Sequence, residues 1–349
     1  MKRASGSDRT KVARRILLKA AGIGALAMTS PRVIFGVEKK ESNSMVLGSG
    51  EHSYELVEGW GKLPDRIRYG YTHGVCEDSQ GRILIHNQSP DAVIIFDAAG
   101  KFIKSWGKEF KDGAHGMQLS RENGVEYLYL ADYVRHIVVK TTLDAEMVWT
   151  LGYPQESGVY QNPDQYKPTN VAIAPNGDFY VADGYGLSYI HQYNAKAEYL
   201  RTWGGAGTEP GKMRCPHGIW IDTRGPQPLV VVADRANVRL QYFTLDGQHV
   251  SFVTDELRHP CHFDQREQDL LIPDLHGRVT IFDKDNKLIA HLGDNPGVEK
   301  QQGYPNLPHD QRFPGKFISP HAAIWDRSGN IYVVEWINDG RVTKLRRVA

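Results

Sequence analysis

Apolar and polar positions along the chain repeat one pattern six times. Each repeat opens with a small residue or proline and a polar residue, continues with an apolar run and a turn, and then has a second apolar run that ends in polar residues. Pro216–Asp222 shows the opening run, and Val230–Asp234 shows the second one. The six repeats are Thr72–Gly107, Ala114–Gly152, Pro168–Gly204, Pro216–Val253, Pro260–Gly293 and Pro320–Val348.

Further apolar runs complete most of these repeats. A third run is seen in Arg278–Asp283 and a fourth in Lys101–Gly107. Four short strands in a unit of about 40 residues are typical of a β-propeller blade. Such a sheet buries its faces only by stacking on its neighbours, so the blades must close into a ring. The sequence therefore predicts an all-β, six-bladed β-propeller in one domain.

The two ends of the repeat region are complementary. The sixth repeat lacks a fourth run after Arg341–Leu345, whereas Tyr54–Gly61, before the first repeat, resembles the fourth run Lys101–Gly107. We therefore expect an N-terminal strand to complete the last blade. An open solenoid or two separate sandwiches would leave this pair of ends unexplained.

The N-terminal residues are basic and then apolar. Arg14–Lys19 contains paired arginines, a hydrophobic pair and a lysine, and Ala20–Met28 is a short apolar run with an A-x-A cleavage motif. This order predicts a twin-arginine signal peptide over residues 1–27, too short and too rich in glycine and alanine to remain as a membrane anchor. An amphipathic N-terminal helix is the alternative. We expect a flexible tether over 28–50, the propeller over 51–349, and a periplasmic or secreted mature protein.

Charge argues against nucleic acid as a partner. The chain has a formal net charge of +1, but residues 1–27 hold seven Lys or Arg and one Asp. Removal of that +6 leaves a mature chain near −5, and a mildly acidic surface binds nucleic acid poorly. The cysteines Cys76, Cys215 and Cys261 lack the spacing of a metal cluster or a disulfide framework, so a large core must supply the stability.

Aligning the repeats places one position at the start of every innermost strand, facing the central channel. Its six occupants are His73, His115, Thr169, His217, Cys261 and His321. Repeats two, four and six stand about 120° apart in a six-bladed ring, so His115, His217 and His321 can converge on one point. Three neutral imidazoles with an open fourth position are the ligand set of a catalytic zinc site. The alternative is that these histidines only bind channel waters.

A second aligned position follows the second strand of each repeat, on the same face. Its occupants are His86-Asn87, Asp132-Tyr133, Asp183-Gly184-Tyr185, Asp234-Arg235, Asp274-Leu275-His276 and Glu335-Trp336. Most of the acidic residues are expected only to tie the loops of the blades together. Tyr185 and Arg235 depart from the repeat with groups that can transfer a proton or hold an anion.

Several short motifs occur in a fixed order along the chain. They are Ala114-His115-Gly116, Lys167-Pro168-Thr169, Asp183-Gly184-Tyr185, Pro216-His217-Gly218, Ala233-Asp234-Arg235 with Asn237 and Arg239-Leu240-Gln241, and Ser319-Pro320-His321. In order and spacing they resemble the NHL-repeat propeller of peptidylglycine α-hydroxyglycine α-amidating lyase, over nearly the whole propeller. The resemblance implies zinc at His115, His217 and His321. It also implies a catalytic base at Tyr185 and a substrate contact at Arg235.

The chain departs from that family at several positions. The family's arginine after the second strand of the first blade is replaced in His86-Asn87, and Ala322 stands where the family has a calcium-binding Asp. The family's disulfide cysteines are also absent. The resemblance therefore predicts the metal-binding scaffold, but not the calcium site or the full substrate-recognition set. His73 is an additional candidate for positioning a ligand or transferring a proton.

The leading hypothesis is a metal-dependent lyase or hydrolase, with zinc or another transition metal, acting on a small carbonyl, carbinolamide or peptide-derived substrate. Zinc would polarise the substrate oxygen or activate water. Tyr185 would move the proton, helped by the nearby cation and the metal, and Arg235 would orient an anionic group.

Two alternatives stay open. A non-catalytic NHL propeller would bind a protein or glycan, with the segments Tyr153–Gln165 and Asn295–Phe317 as a recognition rim. Such a module has no reason to bring three histidines to within about 4 Å of one another, the spacing that one shared ion requires. A calcium-dependent lactonase-like propeller would instead use Asp183, Asp234 and Asn170 around a hard cation.

Overall fold

A computed structural model describes residues 45–348 of the chain. The predicted signal peptide and most of the predicted tether lie outside these residues. Within residues 45–348, none of the helices has the length and apolar character needed to cross a membrane.

The described residues form antiparallel sheets joined by short turns. The strands, numbered in chain order, begin with β1 (Val46–Ser49) and β2 (His52–Val57). Blade one consists of β3 (Thr72–Glu77), β4 (Ile83–Asn87), β5 (Val93–Phe96) and β6 (Phe102–Trp106). Blade two consists of β7 (Ala114–Glu122), β8 (Val125–Asp132), β9 (Ile137–Thr142) and β10 (Met147–Leu151). Blade three consists of β11 (Asn170–Ile173), β12 (Phe179–Ala182), β13 (Tyr189–Tyr193) and β14 (Tyr199–Gly204).

The second half of the ring repeats this order. Blade four consists of β15 (Pro216–Asp222), β16 (Leu229–Asp234), β17 (Arg239–Phe243) and β18 (His249–Val253). Blade five consists of β19 (Asp264–Arg266), β20 (Asp269–Asp274), β21 (Arg278–Phe282) and β22 (Leu288–Leu292). Blade six contains β23 (Pro320–Trp325), β24 (Ile331–Glu335) and β25 (Arg341–Arg347), followed in space by β2 and β1. Short 3₁₀ helices lie at Lys108–Phe110, Gln155–Ser157, Pro163–Gln165, Arg235–Asn237, Val298–Lys300 and His309–Gln311. The predicted six-bladed β-propeller is confirmed.

The last blade is closed by the N-terminal part of the chain, as the complementary ends predicted. β2 pairs antiparallel with β25 from Tyr54 opposite Arg347 to Val57 opposite Lys344. The strand ends at Val57 rather than at Gly61, because positive φ angles at Gly59 and Gly61 turn the backbone away.

The propeller also begins earlier than predicted. β1 lies inside the range assigned to the tether, and it pairs with β2 from Val46 opposite Glu55 to Ser49 opposite His52. Leu47 of β1 packs against the apolar cluster between blades five and six. The ordered domain therefore includes a fifth, outermost strand on blade six.

The apolar core lies between neighbouring blades. Six clusters of buried side chains each join two adjacent blades around the ring. One of them joins blade one to blade six through Val75, Ile85, Ala322 and Val334, so the ring has no open interface. Each fully buried Val, Leu or Ile contributes about 1.5–3 kcal/mol relative to exposure. These clusters stabilise the fold without disulfides, since the three cysteines are free.

Candidate metal centre at the propeller axis

Four axial histidines lie where the pairing of an innermost strand is irregular. The register of β3, β7, β15 and β23 against the second strand shifts at His73, His115, His217 and His321. Such a bulge releases a residue from the regular ladder and redirects its side chain. All four side chains are buried, with only 1–3% of each residue exposed.

Glycine after two of these histidines lets the next blade come close. A Cβ atom on Gly116 would lie 2.4 Å from the Thr169 carbonyl oxygen, and one on Gly218 would lie 2.3 Å from the Cys261 carbonyl oxygen. Any larger residue would therefore push the blades apart. The close approach places a backbone carbonyl beside each neighbouring imidazole.

These carbonyls fix the tautomer of three imidazoles. Nδ1 of His115 lies 2.6 Å from the Thr169 oxygen, Nδ1 of His217 lies 2.9 Å from the Cys261 oxygen, and Nδ1 of His321 lies 2.8 Å from the His73 oxygen. A carbonyl only accepts hydrogen bonds, so each Nδ1 carries the hydrogen. In the neutral ring, Nε2 is then left with a free lone pair. Metal-binding histidines are commonly held in this way.

The three rings predicted to hold a metal meet at the axis. Their centroids are 4.7 Å apart for His115 and His217, 4.8 Å for His115 and His321, and 4.7 Å for His217 and His321. Burial lowers the pKa of all three, that of His115 to about 3, so the rings are neutral at pH 7. The structure thus brings the three together, while their role as metal ligands stays a prediction.

His73, predicted as a proton-transfer or positioning residue, lies in the same cluster. Its Nδ1 is 3.2 Å from Nε2 of His321. Among the described residues, the set of three whose candidate ligand atoms all lie within 4.8 Å of one another is His73, His115 and His321. The tightest set therefore contains His73 in place of His217.

Tyr185 lies beside the histidines. Its hydroxyl is 3.1 Å from Nε2 of His115 and 3.1 Å from Nε2 of His217. A hydroxyl has one hydrogen, so it donates to one of these nitrogens at a time. Burial raises the pKa of Tyr185, and the lowering by Arg235 does not offset this, so the hydroxyl is protonated at neutral pH. One nearby cation is therefore not enough to make it a base.

Arg235 borders the site next to Tyr185. Its guanidinium carbon is 5.4 Å from the centroid of the Tyr185 ring, and its Nη2 donates to Sγ of Cys215 at 3.2 Å. The Nε atom is buried and has no hydrogen-bond partner among the described residues. A buried cation with an unused donor is suited to an anionic substrate group.

The acidic residues after the second strands face the loops. Asp183 accepts hydrogen bonds from the amides of Lys167 and Leu187, and Asp234 accepts from the amide of Arg214 and from Nε of Arg239. These carboxylates hold the loops of the blades together, as expected. They offer little support for a calcium site built on Asp183 and Asp234.

Asn87, at the position of the family's arginine, has a structural role. Its side-chain oxygen accepts from the amide of Gly70, and its nitrogen donates to the carbonyl oxygens of Asp91 and Ala92. It is fully buried and does not replace the missing cation.

A fifth imidazole, that of His86, lies beside this cluster, and the sequence pattern assigned it no role. Its Nδ1 lies 3.2 Å from the His115 carbonyl oxygen, and its buried Nε2 has no partner among the described residues. The equivalent positions in blades two to four hold Ala131, Ala182 and Ala233. A histidine among alanines was a signal that could have identified it.

No protein-family model matches the sequence. NHL repeat-containing protein 3 of Homo sapiens is 29% identical over 203 residues, which is 55% of this chain and 57% of that protein. Peptidyl-alpha-hydroxyglycine alpha-amidating lyase 1 of Drosophila melanogaster is 34% identical over 275 residues, which is 71% of this chain and 47% of that protein. The chain is an NHL-repeat-type six-bladed β-propeller that resembles the amidating lyases. It spans about half the length of these curated relatives.

Two solved structures similar to this NHL-repeat propeller are described as a streptogramin B lyase and a gluconolactonase. A streptogramin B lyase has a TM-score of 0.57 at 12% identity, over 84% of this chain and 97% of the other. A gluconolactonase from Xanthomonas campestris has a TM-score of 0.57 at 12% identity, over 86% of this chain and 94% of the other. At this identity the likeness shows the fold alone.

Proposed function

We propose that this NHL-repeat propeller is a metal-dependent lyase that binds zinc, or another transition metal, and cleaves a carbinolamide such as a peptidyl-α-hydroxyglycine. The observation that carries the proposal is the fixed tautomer of three axial imidazoles. His115, His217 and His321 each use Nδ1 on a backbone carbonyl, so the lone pair of each Nε2 is available at the axis, where Tyr185 or His73 now contacts it. The sequence relation to an amidating lyase supports the substrate class.

The donor set fits the proposed metal. Neutral imidazole nitrogens suit zinc, copper and iron, whereas calcium takes oxygen ligands. His115, His217 and His321 would hold the ion. Zinc bound there supplies a Lewis acid that polarises the substrate oxygen.

Residues of the chain can carry out the proton transfer that the cleavage requires. Cleavage of a carbinolamide removes the hydroxyl proton, forms a C=O bond, breaks the C–N bond and protonates the leaving amide nitrogen. Tyr185, once ionised, takes the hydroxyl proton and returns it to that nitrogen, so the protons balance. Because burial raises the pKa of Tyr185, the phenolate needs the positive charge of Arg235 together with that of the metal. Arg235 also orients an anionic group of the substrate.

The convergence of imidazoles favours an enzyme over a propeller that only binds a partner. His73, His115, His217 and His321 are buried and neutral, and five of their six ring pairs have centroids 4.4–4.8 Å apart, an arrangement that recognition of a protein or glycan does not require. We further propose that the enzyme is exported, on the basis of the predicted twin-arginine signal.

Metal content and one tyrosine variant test this proposal together. Protein purified from its host is expected to carry about one transition metal ion per chain, measured by plasma emission. Tyr185→Phe should keep the metal but lose roughly 10²–10⁴-fold in turnover of a peptidyl-α-hydroxyglycine, the usual contribution of a positioned acid–base group.

Tyr180→Phe is the control. Its hydroxyl donates to the Leu245 carbonyl oxygen at 2.9 Å, and its ring packs on Trp203 in the cluster between blades three and four rather than on the axial histidines. The control should keep both metal and turnover. Less than about a tenth of an equivalent of any transition metal would refute the proposal, since a catalytic site of this class binds its metal stoichiometrically.

A further inference from the structure

The axial position of blade one brings a fourth imidazole to the site. The His73 ring centroid lies 4.7 Å from that of His115 and 4.4 Å from that of His321. These separations equal or fall below those among the three rings already assigned. The other two axial positions offer no comparable donor, because the Thr169 hydroxyl bonds backbone oxygens and the Cys261 thiol lies against the His259 carbonyl.

The spacing of two nitrogens matches shared coordination. Nδ1 of His73 and Nε2 of His321 are 3.2 Å apart. Two nitrogens bound to one tetrahedral zinc at about 2.0–2.1 Å are separated by about 3.3–3.4 Å. A single ion can therefore contact both atoms with little movement of either ring.

Hydrogen positions explain how both atoms can bind. Nδ1 of His321 donates to the His73 carbonyl oxygen, so Nε2 of His321 is an acceptor and His73 Nδ1 donates to it. A cation at this point takes the lone pair of His321, and His73 is then free to carry its hydrogen on Nε2 instead. That Nε2 atom is buried and has no hydrogen-bond partner among the described residues.

Gln88 is placed to stabilise the second tautomer. Its amide nitrogen donates to the Ala114 carbonyl oxygen at 3.3 Å and to the Tyr133 hydroxyl at 3.2 Å. The Gln88 side chain also interacts with the His73 ring, and its amide oxygen is the atom that could accept a hydrogen from Nε2 of His73. Ligating histidines usually have such an acceptor on the nitrogen that does not bind the metal.

We infer that His73 is a fourth protein ligand, so that four imidazoles rather than three hold the metal. This inference rests on the proposed metal site. An ion with four protein nitrogens keeps at most one further position when it expands to five-coordinate geometry. The site therefore takes substrates that present a single oxygen, and inhibitors that bind metals through two atoms should bind it weakly.

Two variants separate a ligand from a positioning residue. His73→Ala removes the ring, whereas His73→Gln keeps a side-chain N–H that can donate to Nε2 of His321. X-ray absorption of the zinc-loaded wild-type protein should show four imidazoles, and both variants should show three. Zinc affinity, measured by competition with a chromophoric chelator, should fall more than roughly 100-fold in both, since loss of a group that only orients a ligand costs 10–100-fold.

The control is His276→Ala, which removes a partly exposed ring stacked on His259 at 4.6 Å, with no contact to the four axial rings. It should keep four imidazoles and wild-type affinity, and circular dichroism should show all variants folded. Three imidazoles in the wild type, with unchanged affinity in His73→Gln, would overturn this inference alone. Failure of the wild type to bind any metal would overturn the proposed function as well.

Discussion

Burial keeps the axial imidazoles neutral. It lowers the pKa of His115 to about 3 and that of His86 to about 4. Neutral imidazole is the form that binds a metal and also the form that carries no extra proton. Metal affinity and stability in acid therefore depend on the same property. Below about pH 6.5 the histidines of the unfolded chain bind protons, whereas these buried rings stay unprotonated in the folded protein. Folding stability therefore falls as the pH is lowered.

His86→Gln is expected to reduce this acid sensitivity. The ring is unprotonated in the folded state down to about pH 4, whereas in the unfolded chain its pKa is about 6.5. Lowering the pH from 7.5 to 5 should therefore reduce the unfolding free energy of the wild type by about 2 kcal/mol through the His86 ring. Urea unfolding at the two pH values should show a loss smaller by that amount in the variant.

The control for this experiment is Tyr69→Phe, which removes a buried hydroxyl and no histidine and should lose as much stability between the two pH values as the wild type. Burial also raises the pKa of Asp264 to about 7, and this carboxyl acts in the opposite direction. Its effect is the same in all three proteins and cancels in the comparison. Equal losses in His86→Gln and the wild type would contradict the argument.

At the residue scale, the sequence identified the candidate metal-binding histidines better than it identified the residues and contacts around them. His115, His217 and His321 were identified because a repeat places equivalent residues at equivalent positions. His86 was assigned no role because its contact with the His115 carbonyl depends on how closely two blades approach. The sequence indicated that Tyr185 needs both a cation and a metal to act as a base, but it did not show how strongly burial opposes ionisation of the hydroxyl.

At the scale of elements, the sequence predicted that an N-terminal strand closes the ring, but it did not predict where the closing strands begin and end. The missing fourth strand of the last repeat identified β2, but a turn at Gly59 shortens that strand at its C-terminal end. β1 was not predicted because Val46 and Leu47 alone give it apolar character. An outer edge strand needs little burial, so its sequence pattern is weak.

Tyr54 in β2 is the main anchor of the closing strand. It is 1% exposed, lies in the cluster between blades five and six, and its hydroxyl accepts from Nε1 of Trp325 at 3.0 Å. Tyr54→Phe should cost about 1–3 kcal/mol, because the buried indole N–H loses its partner. Tyr54→Ala should cost about 3–5 kcal/mol through the cavity it leaves. Chemical unfolding measures both.

Tyr69→Phe provides the comparison for the hydroxyl. The Tyr69 oxygen is buried and has no hydrogen-bond partner among the described residues. Removing it should leave stability unchanged or raise it slightly, since an unpaired buried polar group is unfavourable. If Tyr54→Phe proves as harmless as Tyr69→Phe, the Trp325 contact does not contribute to closure.

For the whole molecule, the proposed metal site would be a link between blades. The imidazoles of His115, His217 and His321 come from blades two, four and six, and each Nδ1 bonds to the next blade. Apolar clusters between neighbouring blades and the pairing of β2 with β25 also hold the ring together. An ion at the axis would therefore add a direct link among three blades that are not neighbours in the ring and that meet at the axis through their histidine rings.

Removing the metal should consequently lower the melting temperature of the entire propeller. A ligand that binds only the folded state at 100 times its Kd adds about 2.7 kcal/mol. For roughly 300 residues this corresponds to about 4 °C. Calorimetry of the chelated and zinc-loaded wild type should show this shift, with His276→Ala behaving in the same way. His217→Ala should show a much smaller shift, because the ion then joins fewer blades. Identical melting temperatures for the chelated and loaded wild type would mean that the axial imidazoles hold no ion across the ring.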